Sequence, residues 1–232
     1  MRSPPRDLPM SLFNSLTYYR SAYELVDLPP DEGMELAFAG RSNAGKSSAI
    51  NCITNQNKLA FVSKTPGRTQ MINYFGMANQ RYFVDLPGYG YAGVPLELKA
   101  HWGDLLSAYL GTRASLKGLV IMMDSRHPLT DLDQRMLGWF SPRGLPIRVL
   151  LTKSDKLTKN EQAATLSKVR ATLAKDFPQS SAQLFSSLKK QGVDEAEDWI
   201  ATLFGMELRT RAIPENKNPR LKGSKVGGEA KP

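Results

Sequence analysis

The sequence predicts an α/β fold, a three-layer α/β/α sandwich around a mostly parallel six-stranded sheet with one antiparallel edge strand. Three observations lead there. From residue 35 to residue 204, short apolar or β-branched runs alternate with segments of helical periodicity, the pattern of βα units that build a parallel sheet. Gly118 to Met123 is an unbroken apolar run, which suits a strand covered by helices on both faces. Glu35 to Ala39 ends on a glycine-rich loop that leads into a helix-forming stretch at Lys46 to Ile53, so the order there is strand, loop, helix.

The elements follow in chain order. Residues 1–9 contain Pro4, Pro5 and Pro9 and are expected to be disordered. From Met10 to Val26, the positions Leu12, Phe13, Leu16, Tyr19, Tyr23 and Val26 recur every three or four residues and predict an amphipathic helix within an N-terminal extension, residues 1–29. After the unit at 35–53, Met71–Phe75 and Arg81–Asp85 are β-rich runs joined by five residues, a hairpin length that makes them antiparallel neighbours. Beyond a Gly/Pro-rich loop at 87–95, helices are expected at Leu96–Leu110, Asp131–Phe140, Lys159–Lys175 and Val193–Phe204, interleaved with strands at Gly118–Met123, Ile147–Leu151 and Ala182–Phe185. The main domain then spans residues 30–205, followed by a basic tail, residues 206–232.

Thirty-one Lys and Arg against 22 Asp and Glu leave a net charge of +9. From Arg209 onward seven basic residues face Glu215 and Glu229, so the tail alone carries +5. Such a segment has too few apolar side chains to fold by itself, and its field attracts polyanions, RNA foremost; a merely solubilising tail is the competing reading. Cys52 is the sole cysteine, which excludes an internal disulfide and a cysteine metal cluster, and His101 and His127 are too few for zinc. No run approaches the roughly 20 apolar residues a membrane span needs. A cytoplasmic location is expected.

Gly40-Arg41-Ser42-Asn43-Ala44-Gly45-Lys46-Ser47 satisfies G-x-x-x-x-G-K-[ST], the phosphate loop (P-loop) of nucleoside triphosphatases. Glycines let successive N–H groups turn toward phosphates, the following helix adds its dipole, Lys46 reaches the terminal phosphates and the Ser47 hydroxyl ligates Mg²⁺. An ATPase, a nucleotide kinase and a GTPase all fit this loop. Asp85-Leu86-Pro87-Gly88 begins where a strand ends, placing a carboxylate near the Mg²⁺ shell and a glycine N–H near the γ-phosphate. Thr152-Lys153-Ser154-Asp155 has the form of an element in which Asp accepts two hydrogen bonds from guanine; adenine lacks those donors. Phe185-Ser186-Ser187 ends the next strand, where backbone N–H groups can meet the guanine carbonyl.

With GRSNAGKSS at 40–48, KTPGRTQ at 64–70, DLPGYGYA at 85–92, DSRHPLTDLD at 124–133 and TKSD at 152–155, the sequence resembles the Ras-like, translation-factor-related GTPases, and within them the EngB (YihA-type) bacterial ribosome-biogenesis GTPases. The resemblance covers roughly residues 10 to 205. It implies a monomeric, cytoplasmic GTP- and GDP-binding protein that needs Mg²⁺ and assists assembly of the large ribosomal subunit through its rRNA and proteins, with a link to cell division and septation. Carried over by position, Gly67, Arg68, Thr69, Gln70 and Met71 form the first switch, Thr69 joins Ser47 as a Mg²⁺ ligand, and Asp85 to Gly88 open the second switch. The alternative is a regulatory GTP-binding module that acts on division proteins without RNA.

Thr152 stands where most GTPases have Asn, and Leu188 where many have Lys. By the general pattern both weaken base contacts, so affinity is expected in the micromolar range, about −8 kcal/mol. Tyr89 occupies the position of the usual water-orienting glutamine, so intrinsic hydrolysis is expected to be slow and to need a supplement: a monovalent cation, an arginine or the binding partner. Asn43 resembles the asparagine of potassium-assisted GTPases and is equally read as a turn-stabilising side chain. Arg68 either approaches the γ-phosphate or stays solvated. Tyr89 and Tyr91 are read either as contacts to RNA or ribosomal protein or as packing of a closed switch. Trp102, Trp139 and Trp199 are read as helix packing.

Overall fold

A computed structural model describes residues 11–60, 71–89 and 96–208, with 96–102 as backbone only. The α/β sandwich is found. Its strands are β1 (Thr17–Ala22), β2 (Met34–Gly40), β3 (Ile72–Met77), β4 (Arg81–Asp85), β5 (Leu116–Asp124), β6 (Ile147–Thr152) and β7 (Ser180–Leu184); its helices are α1 (Lys46–Ile53), α2 (Leu96–Thr112), α3 (Asp131–Phe140), α4 (Lys159–Asp176) and α5 (Val193–Leu203).

Among the described residues the sheet has seven strands, in the order β1-β3-β4-β2-β5-β6-β7. Pairings from β4 through β7 are parallel, whereas β3 is antiparallel to both β1 and β4. The β3–β4 hairpin matches the sequence expectation, with Asn79 and Gln80 at positive φ in its turn, as a tight hairpin connection demands. Two expectations are corrected. The sheet has seven strands rather than six, and the antiparallel strand lies one place inside the edge, because the segment expected as an N-terminal helix supplies the edge strand β1.

The physical reason lies in which apolar side chains of that segment find cover. Phe13 and Leu16 are buried and Leu12 is half-buried, but Tyr19, Tyr23 and Val26, the C-terminal half of the supposed helical stripe, are exposed. Thr17-Tyr18-Tyr19 is β-favouring, and the open edge of β3 offers a ladder of hydrogen bonds that an isolated helix cannot match. The register slips between Tyr18 and Arg20, a bulge of the sort that blunts an exposed edge.

Period-two alternation divides the core. Leu36, Phe38, Val120 and Met122 join α1 and α5, together with Phe13 and Leu16, on one face. Ala37, Ala39, Leu119, Ile121 and Met123 join α2, α3 and α4 on the other. Trp199 packs partly against the first of these cores, whereas Trp139 is exposed on α3, contrary to its reading as a packing residue. β2 lies between β4 and β5; the chain runs from β2 through α1 to β3 on one side and from β5 onward to β6 and β7 on the other, so the loop after β2 opens into the crevice where the order of strands reverses, the place ligands occupy in open α/β sheets.

Candidate nucleotide site

The loop from Gly40 to Gly45 runs from the end of β2 to the first turn of α1. Asn43 (φ 64°) and Gly45 (φ 91°) both adopt left-handed backbone, which asparagine tolerates and glycine adopts without penalty. Such alternation turns neighbouring N–H groups into a concavity at a helix N-terminus, a cradle for anions. Lys46 Nζ forms an ion pair with Asp85 Oδ1, and both side chains are nearly buried. Phosphates entering the cradle therefore compete with Asp85 for this ammonium. Ser47, half-buried, lies one residue further into α1.

The start of the second predicted switch rests directly on this loop. Leu86 N–H donates to Phe38 O, Tyr89 N–H to Gly40 O, and Ser42 N–H to Tyr89 O. A Cβ added at Gly88 would lie 3.5 Å from Ser42 backbone atoms; Leu86 and Pro87 are buried between. The Tyr89 side chain turns toward α3, where its hydroxyl donates to Asp133 Oδ1 (3.1 Å). Burial and the Asp133 charge push that phenol well above its ordinary range. Asp133, fully buried, also accepts from Thr130 N and Oγ1, and Arg41 Nε lies 3.4 Å from it. Of the two readings of Tyr89, the structure has the packed one.

The residues expected to read the base lie together at the ends of β6 and β7. Thr152 Oγ1 donates to Ala44 O (2.6 Å), with Met123 O at 3.1 Å, so the threonine that departs from the usual asparagine ties β6 to the phosphate loop. Lys153, at φ 56°, donates through Nζ to Asn43 O (2.8 Å) and Asp124 Oδ2 (3.0 Å). Ser154 is buried, its hydroxyl on Gln191 Oε1. The Ser186 hydroxyl donates to Asp155 Oδ1, which fixes one carboxylate oxygen and orients the other. Phe185 is buried, and Ser186 exchanges both backbone hydrogen bonds with Gln191, which bends the chain after β7 around Ser187. Leu188 is exposed.

Four of the five predicted groups thus converge: Gly40 to Ser47, Asp85 to Gly88, Thr152 to Asp155, and Phe185 to Ser187. Of the fifth, Gly67, Arg68, Thr69 and Gln70 lie outside the described residues, as do Tyr91 and the tail from Arg209; Met71 is described, and is exposed ahead of β3. Sequence reasoning assigned no role to Asp124, Asp133 or Gln191, although Asp124 and Asp133 bound the DSRHPLTDLD motif. The available signal was position, since Asp124 ends the strand that lies between the phosphate loop and the base-reading element. Arg126 binds Asp124 through Nε and Nη2 and Lys153 through Nζ, and these contacts, against a smaller effect of burial, hold that carboxyl far below the usual range. Cys52 is half-buried, and burial pushes its thiol upward.

Comparison with known proteins places the chain in a family. Residues 35–153 match the family model described as "50S ribosome-binding GTPase". The chain is 57% identical over 191 residues to the probable GTP-binding protein EngB of Methylobacillus flagellatus, covering 82% of this chain and 92% of the relative. It is 50% identical over 217 residues to that of Nitrosomonas europaea, covering 91% and 98%. Among solved structures, a probable GTP-binding protein EngB aligns with TM-score 0.57 at 19% identity, over 74% of this chain and 98% of that one. Era in complex with MgGDPNP and nucleotides 1506–1542 of 16S ribosomal RNA aligns with TM-score 0.59 at 22% identity, over 81% and 62%; at such identities these two speak for the fold. By the extent of its sequence identity the chain belongs to the EngB family of GTP-binding proteins, and it is a GTPase.

Proposed function

We propose that this GTPase is a nucleotide-switched assembly factor for the large ribosomal subunit, with a link to cell division and septation, built as a domain of about residues 30–205 with a basic tail. GTP or GDP is held by the loop Gly40–Ser47, by Gly67–Met71, by Asp85–Gly88, and by Thr152–Asp155 with Phe185–Ser187 around the base. The observation that carries the reading of the site is Asp155, oriented by Ser186 at the ends of adjacent parallel strands and tied through Lys153 and Thr152 to the phosphate loop. A carboxylate so fixed accepts from the N–H groups on the edge of guanine and has no such donors to meet on adenine. Asp155→Asn tests this: guanine preference over adenine is expected to collapse, and an unaltered preference refutes it.

The donor set fits Mg²⁺, a hard cation that takes oxygen ligands: a hydroxyl from Ser47 and the carboxylate of Asp85 lie at the N-terminus of one helix, with Lys46 beside them. Ser47 and Thr69 would hold the ion, with Asp85 on its shell. When bound, it neutralises charge on the β- and γ-phosphates. Lys46 adds charge to the same phosphates, and the Gly88 N–H marks the γ-phosphate for the second switch. Tyr89 is engaged with Asp133 and so is not free to orient water; Asn43 would hold a K⁺ beside the phosphates, where the ion would supply positive charge to the transition state, and equal turnover in Na⁺ and K⁺ removes this element.

The ribosomal part is supported by the description of the matching family as 50S ribosome-binding GTPases and by the +9 charge, of which +5 lies in the tail. The nucleotide state sets the order of the switches and with it the affinity for the assembling particle. Co-sedimentation with large subunits, in a GTP analogue and in GDP, tests it. Binding is expected in one state only, with a salt slope that shrinks when residues 209–232 are removed; equal binding in both states contradicts the switch, and binding indifferent to salt contradicts RNA contact.

A further inference from the structure

Asp124 has no place in the proposed set of nucleotide-binding residues, yet it governs the posture of one that does. It ends β5, largely buried, and its two oxygens are fully engaged. Oδ1 accepts from Arg126 N (3.1 Å) and Nε (2.9 Å), and Oδ2 accepts from Arg126 Nη2 (2.7 Å) and Lys153 Nζ (3.0 Å). The Lys153 ammonium is shared with Asn43 O (2.8 Å), so a side chain that begins beside Asp155 ends against the phosphate loop. Between those anchors runs a four-carbon stem, and the side chain as a whole is about a third exposed.

We propose that Asp124 is a positioning residue for guanine-nucleotide binding: it holds Lys153 stretched from the base-reading element to the phosphate loop, so that the lysine stem presents a preformed apolar wall to the face of the base. The inference rests on the reading that residues 152–155 hold guanine. Its physical basis is pre-organisation. A free lysine has several rotatable bonds, and ordering them when the nucleotide arrives weakens binding. With the ammonium clamped by a carboxylate and a carbonyl, that ordering is complete once the chain has folded. The Arg126 fork fixes the carboxylate in turn, since a bidentate pair sets direction as well as attraction. Asn43 O alone gives Lys153 one neutral acceptor, and the charge-assisted partner is Asp124.

Titration of the full-length chain with fluorescent GDP, alongside thermal unfolding, tests this. Asp124→Asn keeps the shape and removes the charge; it is expected to weaken GDP binding about tenfold, the worth of one charge-assisted hydrogen bond. Lys153→Met weakens binding by itself, and adding Asp124→Asn to it is expected to cost less than about a further twofold, because both act through one side chain. A carboxylate with only a structural role would give independent losses instead. Asp124→Glu, which keeps the charge, is the second variant and is expected to bind within about threefold of the parent. GDP affinity unchanged in Asp124→Asn, full additivity with Lys153→Met, or a loss in Asp124→Glu as large as in Asp124→Asn each overturns the proposal. Asp155→Asn separates the two layers: if it loses guanine preference while Asp124→Asn is silent, the positioning role fails alone, and if it keeps that preference the reading of the site fails.

Discussion

Glu35 is the second residue of β2, at the end of the sheet opposite the proposed nucleotide site, and its carboxylate is fully buried. Arg113 donates to it through Nε (3.0 Å) and Nη2 (2.7 Å), and the hydroxyls of Tyr109 (2.9 Å) and Tyr74 (3.3 Å) complete the set. Burial and the neighbouring carboxylate push both phenols up, so they remain donors. Arg113 also holds the carbonyls of Pro29 and Pro30, anchoring the segment that enters β2. Arg113→Met removes the cation and leaves a buried charge with two neutral donors; breaking a buried pair in this way costs about 3 to 5 kcal/mol. Against a total stability of roughly 5 to 15 kcal/mol that is a large fraction, and it corresponds to a fall in melting temperature of about 6 to 20 °C for a chain of this size. Removing both charges, in Glu35→Gln with Arg113→Met, is expected to recover all but about 1 to 2 kcal/mol, since the desolvation burden goes with the pair. Urea unfolding with linear extrapolation measures both. A loss below about 1 kcal/mol in Arg113→Met, or a double variant no better than the single, would refute the account of Glu35 as a buried, paired carboxylate.

Other consequences follow from groups nearer the surface and the site. Burial raises the pKa of Asp31, but the Ser115 hydroxyl, the N–H groups of Ala114 and Ser115 and the charge of Arg113 outweigh it and bring it to about 2, from 3.8. A carboxyl lowered on folding adds stability above its unfolded value and loses it as pH falls through the folded one, so Asp31→Asn is expected to flatten the decline in urea midpoint between about pH 4 and pH 2. An unchanged decline argues against these contacts. Thr152→Val removes the hydroxyl that bonds Ala44 O; a loss of about 1 to 2 kcal/mol and a few-fold faster release of GDP are expected, and GDP release at the parent rate denies the link between β6 and the phosphate loop. Tyr89→Phe deletes a hydroxyl that faces Asp133 rather than the phosphate loop. Turnover of GTP is therefore expected within about threefold of the parent, whereas loss of a water-positioning group costs about a hundredfold or more.

The boundaries of most elements follow from local pattern because the period of apolar residues differs between a strand and a helix. Asp131–Phe140 is helical as expected, with Met136, Leu137 and Phe140 buried, and Ile147 begins a strand buried along its whole length. The proposed nucleotide site is legible for a related reason: phosphates, Mg²⁺ and guanine constrain residue types at short spacings, so a site for them is expected as contiguous strings such as 40–47 and 152–155. The segment at 11–22 was not readable. Its apolar spacing suits a helix, and the competing stabilisation comes from a hydrogen-bonding edge about fifty residues away, at Ile72 to Gly76.

Sequence alone determined the α/β class, the strand–loop–helix phosphate cradle, the hairpin and the choice of guanine, since each depends on side-chain periodicity or on donors and acceptors a few residues apart. Tertiary structure alone decided that the N-terminal segment closes the sheet as a seventh strand, that Tyr89 faces Asp133, and that Asp124 reaches Lys153 across 29 positions of chain. These are contacts between groups distant in sequence. Which partner such a group finds depends on the packing of the whole sheet, and nothing in its immediate neighbours encodes it.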